Sequence, residues 1–128
     1  MTVLLDSHAL IWAVDSPHRL SATAAATMRS KSNRLLLSAA TIWEIAIKCG
    51  LGKLKLSSPY RQWMTNASTD LGVQVLPINI AYADTLSSLP NRHRDPFDRL
   101  MIAQAQLDGV AIVSDDAVFD RYGVTRIW

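Results

Sequence analysis

The chain has 128 residues, enough for one domain with a real core and too few for two. Apolar residues make up 49 % of it, and a net charge of +2 (13 basic against 11 acidic) is too small to demonstrate a polyanionic partner. The single cysteine, Cys49, excludes an internal disulfide, and the lack of any Cys/His cluster argues against structural zinc, so a reducing cytoplasm is expected.

Met1–Leu5 is apolar but has no basic leader, and an acid arrives at Asp6, so it does not read as a signal peptide. No uncharged run approaches the ~18 residues of a membrane span, and no membrane partner is expected. Thr2–Leu5 reads instead as a short, fully buried strand. A helix carrying Leu10, Ile11 and Val14 follows and ends before Pro17. Ser21 caps an Ala-rich helix from Ala22 to about Ser30, and Arg34–Ser38 is a second strand. A strongly apolar helix then runs to Leu51 and carries Trp43, Glu44 and Ile47, with Gly50 and Gly52 closing it.

Ser58-Pro59 opens a helix with Tyr60, Trp63, Met64, Ala67 and Leu71 at helical spacing. Val73–Pro77 is a third strand, and Asn79 caps a helix bearing Tyr82, Ala83 and Leu86. After the basic loop Asn91-Arg92-His93-Arg94, Asp95-Pro96 starts a helix that ends at Gly109. Val110–Val113 and Val124–Ile127 are the last strands. Strands alternating with helices predict an α/β fold, a three-layer α/β/α domain over residues 1–128 with a mostly parallel sheet of four to five strands.

The acids carry the chemical signal. Ten of the eleven are Asp, and Glu44 is the only Glu. A solvated surface draws freely on Glu, whereas here acids stand at turns and element ends. Each has a structural reading. Asp6 can cap a helix, Thr41-Ile42-Trp43-Glu44 fits a capping box, Asp95-Pro96-Phe97-Asp98 is a good helix start, and Asp115 or Asp116 can cap the turn before Phe119. Jointly these readings weaken, because the carboxyl ends of parallel strands share one edge where open α/β folds bind ligands. Asp6 and Asp115/Asp116 follow strands directly, and Glu44 and Asp98 lie in early helical turns that can face the same crevice. Gathered carboxylates repel, and the usual compensation is a hard divalent cation with oxygen ligands, Mg²⁺ or Mn²⁺ when no His or Cys joins the site. Such ions can activate water against a phosphodiester.

The motifs Leu4-Leu5-Asp6-Ser7-His8-Ala9-Leu10, Ser38-Ala39-Ala40-Thr41-Ile42-Trp43-Glu44, His93-Arg94-Asp95-Pro96-Phe97-Asp98-Arg99 and Val113-Ser114-Asp115-Asp116, in this order, resemble PIN-domain nucleases and, within them, the VapC-type toxins of bacterial toxin–antitoxin pairs. The resemblance implies an RNA endonuclease that lowers translation, a homodimer and a VapB-type antitoxin that covers the active site. It further implies that Asp6, Glu44, Asp98 and Asp116 hold the metal, choosing Asp98 over Asp95 and Asp116 over Asp115, with Ser7, Ser114, Asp95 and Asp115 in support. Arg92, His93, Arg94 and Arg99 beside the third acid, and Lys48 after Glu44, are the candidate RNA contacts. Ordinary solvated charge is their bland alternative, with Glu44–Lys48 as a helix pair. Trp12, Trp43 and Trp63 fit core or dimer contacts. Two other functions remain open on sequence: a phosphohydrolase or phosphoacceptor domain using Asp6 as nucleophile, and a catalytically silent binding module of the same fold.

Overall fold

Strand β1 (Thr2–Leu5) is the axis of the molecule, and its Val3, Leu4 and Leu5 are wholly buried. In the computed structural model, which describes residues 1–128, β1 pairs with β2 (Arg34–Ser38) on one side and β4 (Ala111–Val113) on the other. Strand β3 (Gln74–Leu76) extends the sheet beyond β2, and β5 (Arg126–Ile127) extends it beyond β4. The order is therefore β3-β2-β1-β4-β5, and every pair is parallel, with Leu4 opposite both Leu36 and Ile112. An all-parallel sheet needs cover on both faces, which is why the strands are continuous apolar runs rather than alternating ones.

Side chains alternate across the sheet and feed two cores. Val3, Leu5, Leu35, Leu37 and Val113 face a layer made by α1 (Ser7–Asp15), α2 (Ala22–Arg29), α3 (Ala39–Gly50) and α4 (Tyr60–Leu71), where Leu10, Met28, Ile45 and Trp63 fill the space. Leu4, Leu36 and Ile112 face Met101, Ile102 and Ala105 of α6 (Pro96–Asp108), with Phe119 and Tyr122 of the 3₁₀ helix Ala117–Tyr122 closing the end. Helix α5 (Ile80–Ser87) packs on α6. No helix is long and apolar enough to cross a membrane.

Local chemistry sets most boundaries. Ser21 accepts from the Ala24 N–H, Asn79 from that of Tyr82, and Asp95 from those of Phe97 and Asp98, as the cap positions predict. Gly72 and Gly109 end α4 and α6 in the left-handed region that glycine enters without a Cβ penalty. One expected cap is not there. Helix α3 begins at Ala39 with Ser38 as its cap, so Thr41 is already interior and its hydroxyl meets the Met101 sulfur. Glu44 consequently reaches no backbone N–H and is released from the capping-box role. Gly50 also lies inside α3 rather than after it. The third strand is shorter than Val73–Pro77, and its Val75 is exposed on the sheet edge.

Candidate active site

The chain runs outward from β1 to β2 and β3, then returns to build β4 and β5 on the other side. The carboxyl ends of β1 and β4 therefore flank the point where the winding reverses, the crevice in which doubly wound folds place ligands. Asp6 stands at the end of β1 and Ser114-Asp115-Asp116 at the end of β4, tied together by the Asp6 N–H to the Val113 carbonyl at 3.1 Å. A cleft of about 600 Å³ opens there, walled by Asp6, Glu44, Asp95, Asp98, Asp115 and Asp116 together with Ser7, His8, Trp12, Arg19, Lys48 and His93. All four acids of the expected quartet, and both supporting acids, thus line one cleft.

Each acid is held differently. Asp6 is 5 % exposed. One of its oxygens accepts the Ser7 N–H at 2.7 Å, capping α1, and the other accepts the Ser114 hydroxyl at 2.7 Å. Burial pushes its carboxyl above the ordinary carboxylate range, with Glu44 adding repulsion, against the pull of the Ser114 and Ser7 hydrogen bonds and of His8. Ser114 is wholly buried, and its oxygen also accepts the Asp116 N–H at 3.0 Å, so one hydroxyl ties the first acid to the last. Glu44, on the second turn of α3, is buried and takes the Lys48 ammonium at 2.7 Å. That bond raises the Lys48 pKa, and Asp95 and Asp98 add to the rise.

Asp98 sits in the first turn of α6, but Asp95 is the cap, which leaves the Asp98 side chain free to enter the cleft. There it meets His93 Nε2 at 2.8 Å. Burial first, then the charges of Asp6, Asp95 and Glu44, push its carboxyl up to about 7, with the His93 hydrogen bond opposing. His93, Asp95 and Asp98 offer ligand atoms that all lie within 4.8 Å of one another. The expectation of a site without histidine is thereby corrected: the loop before α6 folds back and lays the His93 ring on the third acid. Asp116 caps the 3₁₀ helix through the Val118 N–H at 2.9 Å, while Asp115 lines the same cleft beside it.

The raised carboxyls predict an unusual pH response. Asp98 titrates near 7 in the folded chain and near its ordinary 3.8 when unfolded, so between these values the folded state holds more protons. The contribution of Asp98 to the stability of the metal-free protein is then fully present below about pH 4 and is lost as pH rises through about 7. Thermal melts in a chelator at pH 5 and pH 8 should show the lower melting temperature at pH 8, and Asp98→Asn should flatten the difference. An equal pH dependence in wild type and Asp98→Asn would remove Asp98 from the cluster.

The PIN domain family model matches residues 3–124. The chain belongs to the PIN-domain family. Over 116 residues, 90 % of this PIN domain and 87 % of its relative, it is 31 % identical to Ribonuclease VapC22 of Mycobacterium tuberculosis. Among solved structures it resembles VapBC2 of Rickettsia felis bound to a promoter DNA fragment, with a TM-score of 0.71 and 15 % identity over 98 % of this chain and 97 % of that one. VapBC-1 of nontypeable Haemophilus influenzae gives a TM-score of 0.65 and 17 % identity, covering 98 % of this PIN domain and 96 % of that chain. At these identities the two structures speak to the fold.

The basic residues do not all sit where the sequence suggests. The Arg99 guanidinium turns into its own loop, donating to the carbonyls of Pro90, His93 and Leu89 and to the Tyr122 hydroxyl. It shapes the loop that carries His93 and lies outside the cleft wall. Arg92 donates to the Arg121 carbonyl at 2.7 Å and, with Arg94, lines a separate surface pocket that shares only His93 with the acid cleft. Lys48 and His93 alone of the expected RNA contacts line the cleft. The cleft wall adds Arg19 and His8, to which the sequence reading gave no role, and Trp12, which it gave to the core or a dimer contact. Only the fold signals them, since helix α1 and the turn after it swing these side chains over the end of β1. Of the other tryptophans, Trp63 is in the core, while Trp43 is 62 % exposed and packs edge-on against Phe97 with ring centroids 5.6 Å apart.

Proposed function

We propose that this PIN domain is a divalent-metal-dependent endoribonuclease, the toxin of a VapBC-type pair, working in the cytoplasm. The carrying observation is that acids from four separate segments, at the ends of β1 and β4 and in α3 and α6, line one cleft at the sheet's switch point. The ribonuclease name of the 31 %-identical relative supports the activity. The VapBC names of VapBC2 and VapBC-1 accord with a VapB-type antitoxin as partner, and a homodimer is proposed with it.

The donor set fits Mg²⁺ or Mn²⁺. Oxygen donors dominate, and no protein donor reaches one oxygen each of Glu44, Asp95 and Asp98. Six carboxylates share the cleft wall with two fixed cations, Lys48 and Arg19. Asp6, Glu44, Asp98 and Asp116 would hold the ion, with Asp95 and Asp115 beside them and His93 orienting Asp98. When bound, a divalent ion lowers the pKa of water and neutralises charge gathering on the phosphodiester. The chain's own part is placement: Ser7 and Ser114 fix Asp6, Lys48 holds Glu44, and Asp95 anchors the turn that presents Asp98. The phosphoacceptor alternative draws no support, since the 31 %-identical relative is named a ribonuclease.

Ser114→Ala tests the placement argument. It removes the donor to Asp6 and the acceptor of the Asp116 N–H. Cleavage should fall about 10- to 100-fold, as for groups that orient metal ligands, and stability by about 1–3 kcal/mol for buried partners left unpaired. Initial rates and thermal melts check both, and an unaltered rate would dismiss the Ser114–Asp6 bond as a support. The function itself is tested by incubating the purified protein with single-stranded RNA in Mn²⁺ and in a chelator. Cleavage in neither condition would refute it.

A further inference from the structure

An acidic cleft repels the polyanion it is to cut, so cations must meet the substrate's phosphates at its rim. The sequence pointed to the arginines around Asp98, but Arg99 and Arg92 donate to backbone carbonyls and lie outside the cleft. Of the fixed cations that do line it, Lys48 is bound to Glu44. Arg19 is the other, and its guanidinium makes no ion pair and no hydrogen bond with any protein acceptor.

Arg19 is also held in place. It closes the 3₁₀ turn Pro17–Arg19, and its guanidinium lies over the Trp12 ring at 4.6 Å from the centroid. The ring in turn packs against His8 at 5.3 Å and Trp128 at 5.8 Å. Stacking on an indole fixes the plane of a guanidinium without occupying its N–H donors. A positioned fork with its donors free, on the wall of a cleft otherwise rich in carboxylates, is suited to a phosphate.

We propose that Arg19, braced on Trp12, grips a backbone phosphate of the RNA next to the bond that is cut. This rests on the ribonuclease reading and adds to it the residue that holds the chain against the cleft's own negative charge. Arg19 touches a phosphate that does not react, so its contact is the same in the ground state and at the barrier, and its loss shows in KM rather than kcat.

Steady-state cleavage of a labelled single-stranded oligoribonucleotide in Mn²⁺, repeated over a range of salt, tests the proposal. Arg19→Ala should raise KM about tenfold with kcat within about twofold, and lessen the slope of log(kcat/KM) against log salt by about 0.7, the value of one phosphate contact on a single strand. Arg19→Lys should restore the slope but not the full KM, because an ammonium keeps the charge and loses the fixed fork. Trp12→Leu should raise KM about threefold with the slope kept. Arg19→Ala should melt within a few degrees of wild type and bind Mn²⁺ no more weakly by calorimetry, as a structural or metal-holding role would not allow. If wild type cleaves and Arg19→Ala leaves KM and slope unchanged, or lowers kcat alone, the proposal falls while the ribonuclease reading stands. If wild type does not cleave RNA, both fall.

Discussion

Asp6→Asn is expected to lower RNA cleavage by more than about 10³-fold, several kcal/mol of lost charge stabilisation, while leaving the metal-free protein at least as stable as wild type. The two effects have one origin. Asp6 is buried beside Glu44, and its burial raises its carboxyl above the ordinary range, so its negative charge costs folding energy. Asparagine keeps the shape and the oxygen that caps Ser7, and the Ser114 hydroxyl can turn to accept from the new amide. Removing the charge takes away the repulsion and, with it, the ligand. Wild type should regain the difference only when Mn²⁺ is added, because an ion that binds the folded state alone stabilises it. Thermal melts of both proteins with and without Mn²⁺, beside initial cleavage rates, make the comparison. A variant that is less stable in chelator and still cleaves would show Asp6 to be a helix cap only.

Trp63→Ala is expected to be the most damaging change away from the cleft, at about 3–5 kcal/mol. Trp63 is 2 % exposed, fills the core between α4 and the sheet, and donates its indole N–H to Asp15 at 3.0 Å. Asp15 ends α1, and the Ser57 N–H and hydroxyl bind the same carboxylate, so three donors converge where the loop before α4 crosses the end of α1. Burial alone would raise the Asp15 pKa, but the Ser57 and Trp63 hydrogen bonds hold it below the ordinary range. A depressed carboxylate contributes stability above its unfolded pKa that is lost as pH falls through the folded one, so Trp63→Ala should also reduce the protein's acid sensitivity below about pH 4. The melting temperature should fall by roughly 10–20 °C, from the usual few degrees per kcal/mol for a domain of this size. Trp63→Phe, which keeps one aromatic ring but loses the N–H and part of the buried ring volume, should cost less, about 2–3 kcal/mol. Equal losses for the two variants would mean that the Asp15 bond, not the packing, carries the effect.

Much of this was legible in the chain itself because it rests on local chemistry. Short apolar strands, the first two running straight into a capping residue and a helix, announce a parallel sheet, and Ser21, Asn79 and Asp95 cap where they should. The acids could be placed on one edge because Asp6 and Asp115-Asp116 follow strands with no intervening loop. What failed was non-local. Thr41 and Glu44 match a capping box in spacing, but β2 passes into α3 without a turn and Ser38 takes the cap three residues earlier. Arg99 looks like an RNA contact from its place beside Asp98, yet its partners are carbonyls up to ten residues away and a tyrosine hydroxyl on another element. His93 reads as a loop residue until that loop folds back onto α6. Arg19 carries no pattern at all and Trp12 reads as a core or dimer contact, since only the fold of α1 and its following turn brings them to the acids.

We propose that the acid cleft cuts RNA with a bound divalent ion. It is tested most directly by one assay: wild-type protein and Asp6→Asn, each incubated with single-stranded RNA in a chelator and at increasing Mn²⁺. Wild type should cleave only with Mn²⁺, to a saturating level, and Asp6→Asn should cleave in neither. Cleavage by wild type that persists in the chelator, or cleavage by Asp6→Asn equal to wild type in Mn²⁺, would contradict the assignment of the cleft.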